Sequence, residues 1–362
     1  MLLCGRPGVS KVRILLFAAT GALVVLSGLY AVLAVTVTES AFEDPALEAA
    51  VREELNARGG HIPRGDLERL TELDASELGI ESLEGIDSAP NLTNLNLRGN
   101  RIDDLRPLAG LERLQSLNLR DNNIQDLNDV HVSALSELPE LVELSLRHNR
   151  GPSHPETPDD HRRISDISAL ADLTGLEVLD LRDNHIENVS ALSRLEALRE
   201  LDLRNNRLTE DAVSPLSALV RLEHLNLRNN DLRDISALSA NTSLRYLNIH
   251  SNENIETVVP LSSLSGLETL IARRVPIGTD AGVLRELTSL TRLNVRETGI
   301  EDLTFLADLM ELGALQDRPQ QGVFAEVDIL ENPVEDSGSG SGYRVLEPWW
   351  DNIAVRSPQV LP

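Results

Sequence analysis

The chain has 362 residues, a net charge of −25 at neutral pH and a pI near 4.7, a balance that disfavours nonspecific binding to nucleic acid. Four Phe, three Tyr and two Trp are few for this length, so aliphatic side chains must build the core. Cys4 is the single cysteine, which excludes an intrachain disulfide, and there is no Cys-x-x-Cys pair, no phosphate-binding loop and no Gly-x-Ser-x-Gly elbow.

Arg6, Lys11 and Arg13 precede an uncharged run of 25 residues, Ile14 to Thr38. About 20 apolar residues span a bilayer as a helix, whereas the apolar core of a signal peptide has about 7 to 15. The expectation is a signal anchor: residues 1–13 cytoplasmic, 14–38 in the membrane, and the remainder outside, in a periplasm or at a cell surface. The alternative is a long signal peptide cut after Ala34, which would make the protein secreted. Cys4 lies before the apolar run and does not match a lipoprotein box, so it reads as an inert thiol.

Residues 41–69 read as a helical cap. Asp44-Pro45 is an N-cap followed by Pro at the first helical position. Leu47, Val51 and Leu55 then recur at helical spacing, Gly59-Gly60 stops the helix, and Asp66 to Leu70 makes a second short one.

From residue 70 to 335 one pattern repeats. Leu176, Leu179, Leu181, Asn184, Ile186, Val189, Leu192 and Leu195 fall at offsets 1, 4, 6, 9, 11, 14, 17 and 20, and Leu198 restarts the count after 22 residues. Repeats begin at Leu70, Leu92, Leu114, Leu141, Leu176, Leu198, Leu222, Leu244, Leu267, Leu290 and Phe324, about 11 in all. A fixed period in the twenties, in the pattern LxxLxLxxNxIxxIxxLxxL, is that of a leucine-rich repeat and means a solenoid. Offsets 4 and 6 lie two apart, so a short strand turns both leucines inward, and stacked neighbours must cover them. The Asn at offset 9, missing at Leu78, Val275 and Thr298, turns in to bond backbone groups that would otherwise be buried unpaired. Ser-Ala-Leu and Ser-Pro-Leu runs, such as Ser168 to Leu170, start short helices or 3-10 turns on the far side, with Ser as N-cap. The expected fold is therefore an α/β solenoid, a horseshoe with a parallel sheet on its concave face.

Leu303 to Gln316 reads as a longer last helix. Residues 336–362 form a Ser/Gly linker and a tail that carries both tryptophans, expected to be loosely docked or disordered, with a partner- or membrane-contact segment as the alternative.

The cap EDPALEAAVREEL, the stretch GIDSAPNLTNLNLRGNRIDDLRPLAGL and the recurrent DISALSxLxxL resemble bacterial internalin-like leucine-rich-repeat proteins over about residues 41–335. The resemblance implies a non-enzymatic surface module that binds a partner on its concave strand face. No LPxTG-type wall anchor and no immunoglobulin-like domain follows the repeats, so the family's partners do not carry over.

Offsets 3, 5 and 7 point outward on that face. Offset 7 holds Arg98, Arg120, Arg147, Arg182, Arg204, Arg228, His250, Arg273 and Arg296, a cationic ladder on strands about 4.8 Å apart. Offset 5 beside it is polar, and its two carboxylates next to the ladder, Asp180 and Asp202, are too few to neutralise eight arginines; Asp121, Asp183 and Glu297 at offset 8 remove some of the excess. With Tyr246, the one aromatic anchor on the face, these residues form the candidate partner site. Its ligand is a protein partner or, in the alternative, an acidic glycan or other polyanion gripped by the guanidinium forks. The opposing reading is a solvated face whose ion pairs contribute about 0 to 1 kcal/mol each. His154, Asp159, Asp160 and His161 in the Pro-rich loop at 150–163 match no structured ligand pattern, which leaves a metal-dependent enzyme as a remote alternative. No cofactor, metal or catalytic residue is expected.

Overall fold

The computed structural model describes residues 41–124, 133–149, 163–210, 212–318, 320, 322, 324–334 and 342–352. The expected cytoplasmic segment 1–13, the anchor 14–38 and the metal-candidate loop residues His154, Asp159, Asp160 and His161 lie outside them. Among the described residues no helix is long and apolar enough to cross a membrane.

Each repeat contributes one three-residue strand at offsets 3 to 5: β1 (Glu72–Asp74), β2 (Asn94–Asn96), β3 (Ser116–Asn118), β4 (Glu143–Ser145), β5 (Val178–Asp180), β6 (Glu200–Asp202), β8 (His224–Asn226), β10 (Tyr246–Asn248), β11 (Thr269–Ile271), β12 (Arg292–Asn294) and β13 (Glu326–Asp328). They form one 11-stranded parallel sheet in which equal offsets face one another, as Leu179 faces Leu201. The two-residue strands β7 (Thr209–Glu210) and β9 (Asp231–Leu232) pair apart from it. Opposite the sheet lie 3-10 helices such as Ser168–Asp172, Ser190–Arg194 and Ser236–Ala240. Strands stack about 4.8 Å apart and helical turns need more room, so the helix side splays and the sheet takes the inside of the curve.

Between the two sides runs a single aliphatic core. Leu176, Leu179, Leu181, Ile186, Val189, Leu192 and Leu195 are each at most 1% exposed. Burying one such side chain contributes about 1.5–3 kcal/mol.

The Asn at offset 9 acts as expected. Asn252 Nδ2 donates to the carbonyl of Ile249 in its own repeat at 2.9 Å and to that of Leu227 in the preceding one at 3.0 Å, while its Oδ1 accepts from Leu232 N at 3.2 Å. Where Thr298 stands instead, its Oγ1 reaches one backbone carbonyl, Val295 O at 2.7 Å, and also lies 3.0 Å from Asn332 Oδ1. The missing Asn does not disturb the sheet, since β11 and β12 keep their register. The change falls on the convex side, where a 3-10 helix of nine residues, Gly278–Glu286, follows Val275.

Serine does not cap the convex helices; at three of them an Asx residue two positions earlier does. Asp166 Oδ1 accepts from Ser168 N at 2.8 Å, Asn188 Oδ1 from Ser190 N at 2.8 Å and Asp234 Oδ1 from Ser236 N at 2.7 Å. The serines lie inside the first turn, where the next one along bonds back, as Ser193 Oγ does to Ser190 O. A carboxylate or amide two residues back reaches the free N–H without strain.

At the N-terminal end α1 (Pro45–Glu54) is capped by Asp44, whose Oδ1 accepts from Ala46 N at 2.8 Å and whose Oδ2 accepts from Glu81 N at 2.8 Å in the first repeat. One carboxylate thus starts the helix and ties it to the solenoid, and these bonds hold its pKa below the usual range despite its burial. α1 ends at Glu54, with Leu55 as C-cap, ahead of Gly59-Gly60, and α2 (Arg64–Leu67) begins before Asp66. Gly85 is required where the cap crosses: its φ is 97°, and a Cβ there would lie 1.9 Å from Ala41 O.

At the other end α3 spans Thr304–Glu311. Phe324, expected at a buried offset 1, is 70% exposed. Leu315 takes that place, fully buried, with its N–H on Leu290 O at 2.7 Å. The tail is not loose over its described part: Gly342–Asn352 is a 3-10 helix against α3, with Leu346 fully buried and Tyr343, Val345 and Trp349 packed on the core.

Candidate functional site

The concave face is built from three columns of side chains flanking the strands. Offset 5 has a structural task that its polarity alone does not reveal. Asn96, Asn118, Asp180, Asp202, Asn226, Asn248 and Asn294 each accept, through Oδ1, the backbone N–H two residues on, at 3.0–3.2 Å. That N–H belongs to the offset-7 residue, so seven of the nine ladder residues, all but Arg147 and Arg273, are clamped by the residue before the turn. Offset 8 then lies in the left-handed region: Glu77, Asp121, His148, Asp183, Asn205, Asn229, Ser251, Arg274, Glu297 and Glu331 have φ of 54–62°, and Gly99 has 72°. This turn throws the offset-8 side chain back across the ladder.

The consequence is a ladder more neutralised than the sequence implies. Arg98 meets Glu77 at 3.0 Å, Arg120 meets Asp121 at 2.9 Å and Arg147 meets Asp183 at 2.9 Å. Arg182 meets Asp180 at 2.8 Å, and Arg204 reaches Asp202 at 4.0 Å. Arg273 and Arg274 share Glu297 at 2.6 Å each, and Arg296 pairs with Glu331. The expectation of a largely uncompensated ladder is corrected: left-handed acids, Glu77 and Glu331 among them, sit where cross-strand pairing is short. Sequence reading counted Asp121, Asp183 and Glu297 at offset 8 but not Glu77 and Glu331; the signal it passed over is that six of the eleven offset-8 residues are Asp, Asn, Gly or Ser, types common in turns and at positive φ.

Several groups titrate abnormally. Hydrogen bonds from Arg274 and Arg273 pull Glu297 down to about 2. Asp183 is held low by Asn205 and Arg147 against the cost of its burial. Burial, with Asp180 alongside, raises Asp202. Burial first, then the charges of Arg228, Arg273 and Arg274, lowers His250 to about 4, so this ladder member is neutral at neutral pH.

Tyr246 does not stand in the ladder column. It lies at offset 3 of β10, edge-on to His224 with ring centres 6.1 Å apart and planes at 69°. Both rings border a shallow depression of about 480 Å³ that also takes in Val178, Asp180, Arg182, Glu200, Asp202 and Asn226. Sequence reading did not single out His224, Glu200 or Val178, because only the register of β5, β6, β8 and β10 brings them together.

The leucine-rich-repeat family model matches residues 90–150, 163–208 and 197–253. No match was found among curated protein sequences. Among solved structures, an internalin, InlF, of Listeria monocytogenes is 29% identical over 81% of this chain and 83% of its own, with a TM-score of 0.69. Internalin C2 of the same organism is 30% identical over 64% of this chain and 95% of its own, with a TM-score of 0.55. The chain belongs to the internalin-like leucine-rich-repeat family. The functional domain of InlJ, at 20% identity and a TM-score of 0.58, shares the fold. In this internalin-like protein the repeats form a protein-interaction module, and its face is an ordered array of charged pairs with one aromatic-edged depression among them.

Proposed function

We propose that this internalin-like protein is exported, stays anchored in the cell membrane through residues 14–38, and holds a protein partner against its concave face. The observation that supports the concave-face reading is the depression edged by Tyr246 and His224 on a parallel sheet whose offset-5 side chains, such as Asn226 and Asn248, are held by backbone N–H groups. Side chains already held in place lose little freedom on binding, and aromatic anchors in partly desolvated hollows dominate protein interfaces. The polyanion reading loses its main support, because a polymer needs a row of free cations and most ladder arginines already face carboxylates. Among the described residues no side-chain cluster supports the enzyme alternative.

Capture of the native partner from envelope extracts by the full chain tests the concave face. Glu200→Trp, at an exposed position bordering the depression, is expected to lower capture at least about tenfold, equivalent to about 1.4 kcal/mol. Val259→Trp, on an exposed convex helix, is expected to leave it unchanged. The reverse result would move the interface off the sheet.

The anchor has its own test. Mass spectrometry of the mature protein should find residues 14–38 attached; an N-terminus near Val35 refutes the anchor and makes the protein secreted.

A further inference from the structure

Among the described residues the charge compensation of the ladder has one gap. Repeats whose strands are β6, β8 and β10 carry Asn205, Asn229 and Ser251 at offset 8, so they supply no carboxylate to the column. Arg204 is left with Asp202 at 4.0 Å, a carboxylate it shares with Arg182 at 3.7 Å. Arg228 is exposed, and among the described residues no carboxylate lies within 4.0 Å of it and its guanidinium makes no hydrogen bond. Every other ladder arginine has such a partner.

The surroundings keep that cation open. Asn229 donates to Asn205 Oδ1 at 3.0 Å, and Asn205 donates onward to Asp183 at 2.6 Å, so this amide chain runs away from Arg228 toward an acid already paired with Arg147. His250, next in the column, is neutral at neutral pH and adds no competing charge. The backbone beneath is held, with Arg228 N on Asn226 Oδ1 at 3.2 Å, and Asn226 is also part of the floor of the depression bordered by Tyr246.

We propose that the protein partner seats one acidic side chain on Arg228, beside the depression, and that this carboxylate replaces the one missing at offset 8 of the neighbouring repeats. The proposal rests on the concave-face reading. The planar donor fork of arginine matches a carboxylate with two parallel N–H···O bonds. One free cation between neutralised neighbours suits a single carboxylate, whether on a folded partner or on a short acidic peptide; a sulfated polymer lying along the ladder would need several free cations in a row.

The test uses the full chain in detergent, with fluorescein-labelled hexaglutamate and a heparin tetrasaccharide as probes at low salt, and partner capture from envelope extracts. Arg228→Gln should weaken hexaglutamate binding and partner capture at least about fivefold. Arg98→Gln, which removes an arginine already paired with Glu77, should change either by less than about twofold. Equal losses in the two variants, or no hexaglutamate binding by the parent, overturn the proposal. Heparin binding that exceeds hexaglutamate binding and falls stepwise with each ladder arginine replaced overturns it in favour of a polyanion. A partner lost with Glu200→Trp but retained with Arg228→Gln overturns the carboxylate anchor and leaves the concave-face reading standing. A partner retained with Glu200→Trp removes that reading, and the anchor with it.

Discussion

Leu181→Asp is expected to lower stability by at least about 4 kcal/mol and to unfold several repeats together. Leu181 is fully buried at offset 6, between Leu146 and Leu203 of the neighbouring repeats, themselves fully buried. Loss of the leucine alone costs about 2–5 kcal/mol for the cavity it leaves. The carboxylate adds the cost of a charge with no partner in a dry core, which it escapes only by taking up a proton. The variant should therefore recover part of its stability as pH falls toward 4, where the neutral acid is the cheaper one to bury. Because each repeat is stable only against its neighbours, the loss should propagate along the stack. Urea unfolding followed by circular dichroism measures this; a midpoint equal to the parent's would show that the stacked leucines do not hold the sheet together.

Asn252→Ala is expected to cost about 3 kcal/mol without moving the strands. The side chain is fully buried and serves three backbone groups, the carbonyls of Leu227 and Ile249 and the N–H of Leu232. Deleting it leaves all three in the core with no partner, at about 1–3 kcal/mol for each group, partly relieved by relaxation or entering water. The molecule contains its own comparison, since Thr298 keeps one such bond through Oγ1. Asn252→Thr should therefore fall between the parent and Asn252→Ala in urea midpoint. If Thr and Ala are equally damaging, the hydroxyl bond at Thr298 contributes nothing and the Asn column acts through shape alone.

How far the concave face was legible differs from column to column. The arginines at offset 7 were identifiable because their spacing is periodic and strand geometry says which way they point. Their pairing was not, since Arg147 finds Asp183 across 36 residues and Arg296 finds Glu331 across 35. Such partners meet only through a left-handed turn at offset 8; the sequence shows that Asp183 stands there, but not which arginine it reaches. Offset 5 was read as surface polarity, yet its amides hold the ladder's own backbone. At the C-terminal end the pattern misplaced Phe324, because the last repeat has no successor to enforce its register and the chain ahead of it, at Leu315, fills the core position.

The sequence by itself determined the solenoid, its one strand per repeat, the buried leucine and asparagine columns and the outward direction of the arginines, all of which follow from a local period of about 22 residues and the two-residue alternation of a strand. Only the tertiary structure decided which ladder arginine has no carboxylate near it among the described residues, which rings edge the depression, and how the described part of the tail closes the end. These depend on distances between residues from different repeats, set by the exact register and by the left-handed turns, and a charge in a sequence has no partner until the fold brings one within about 4 Å.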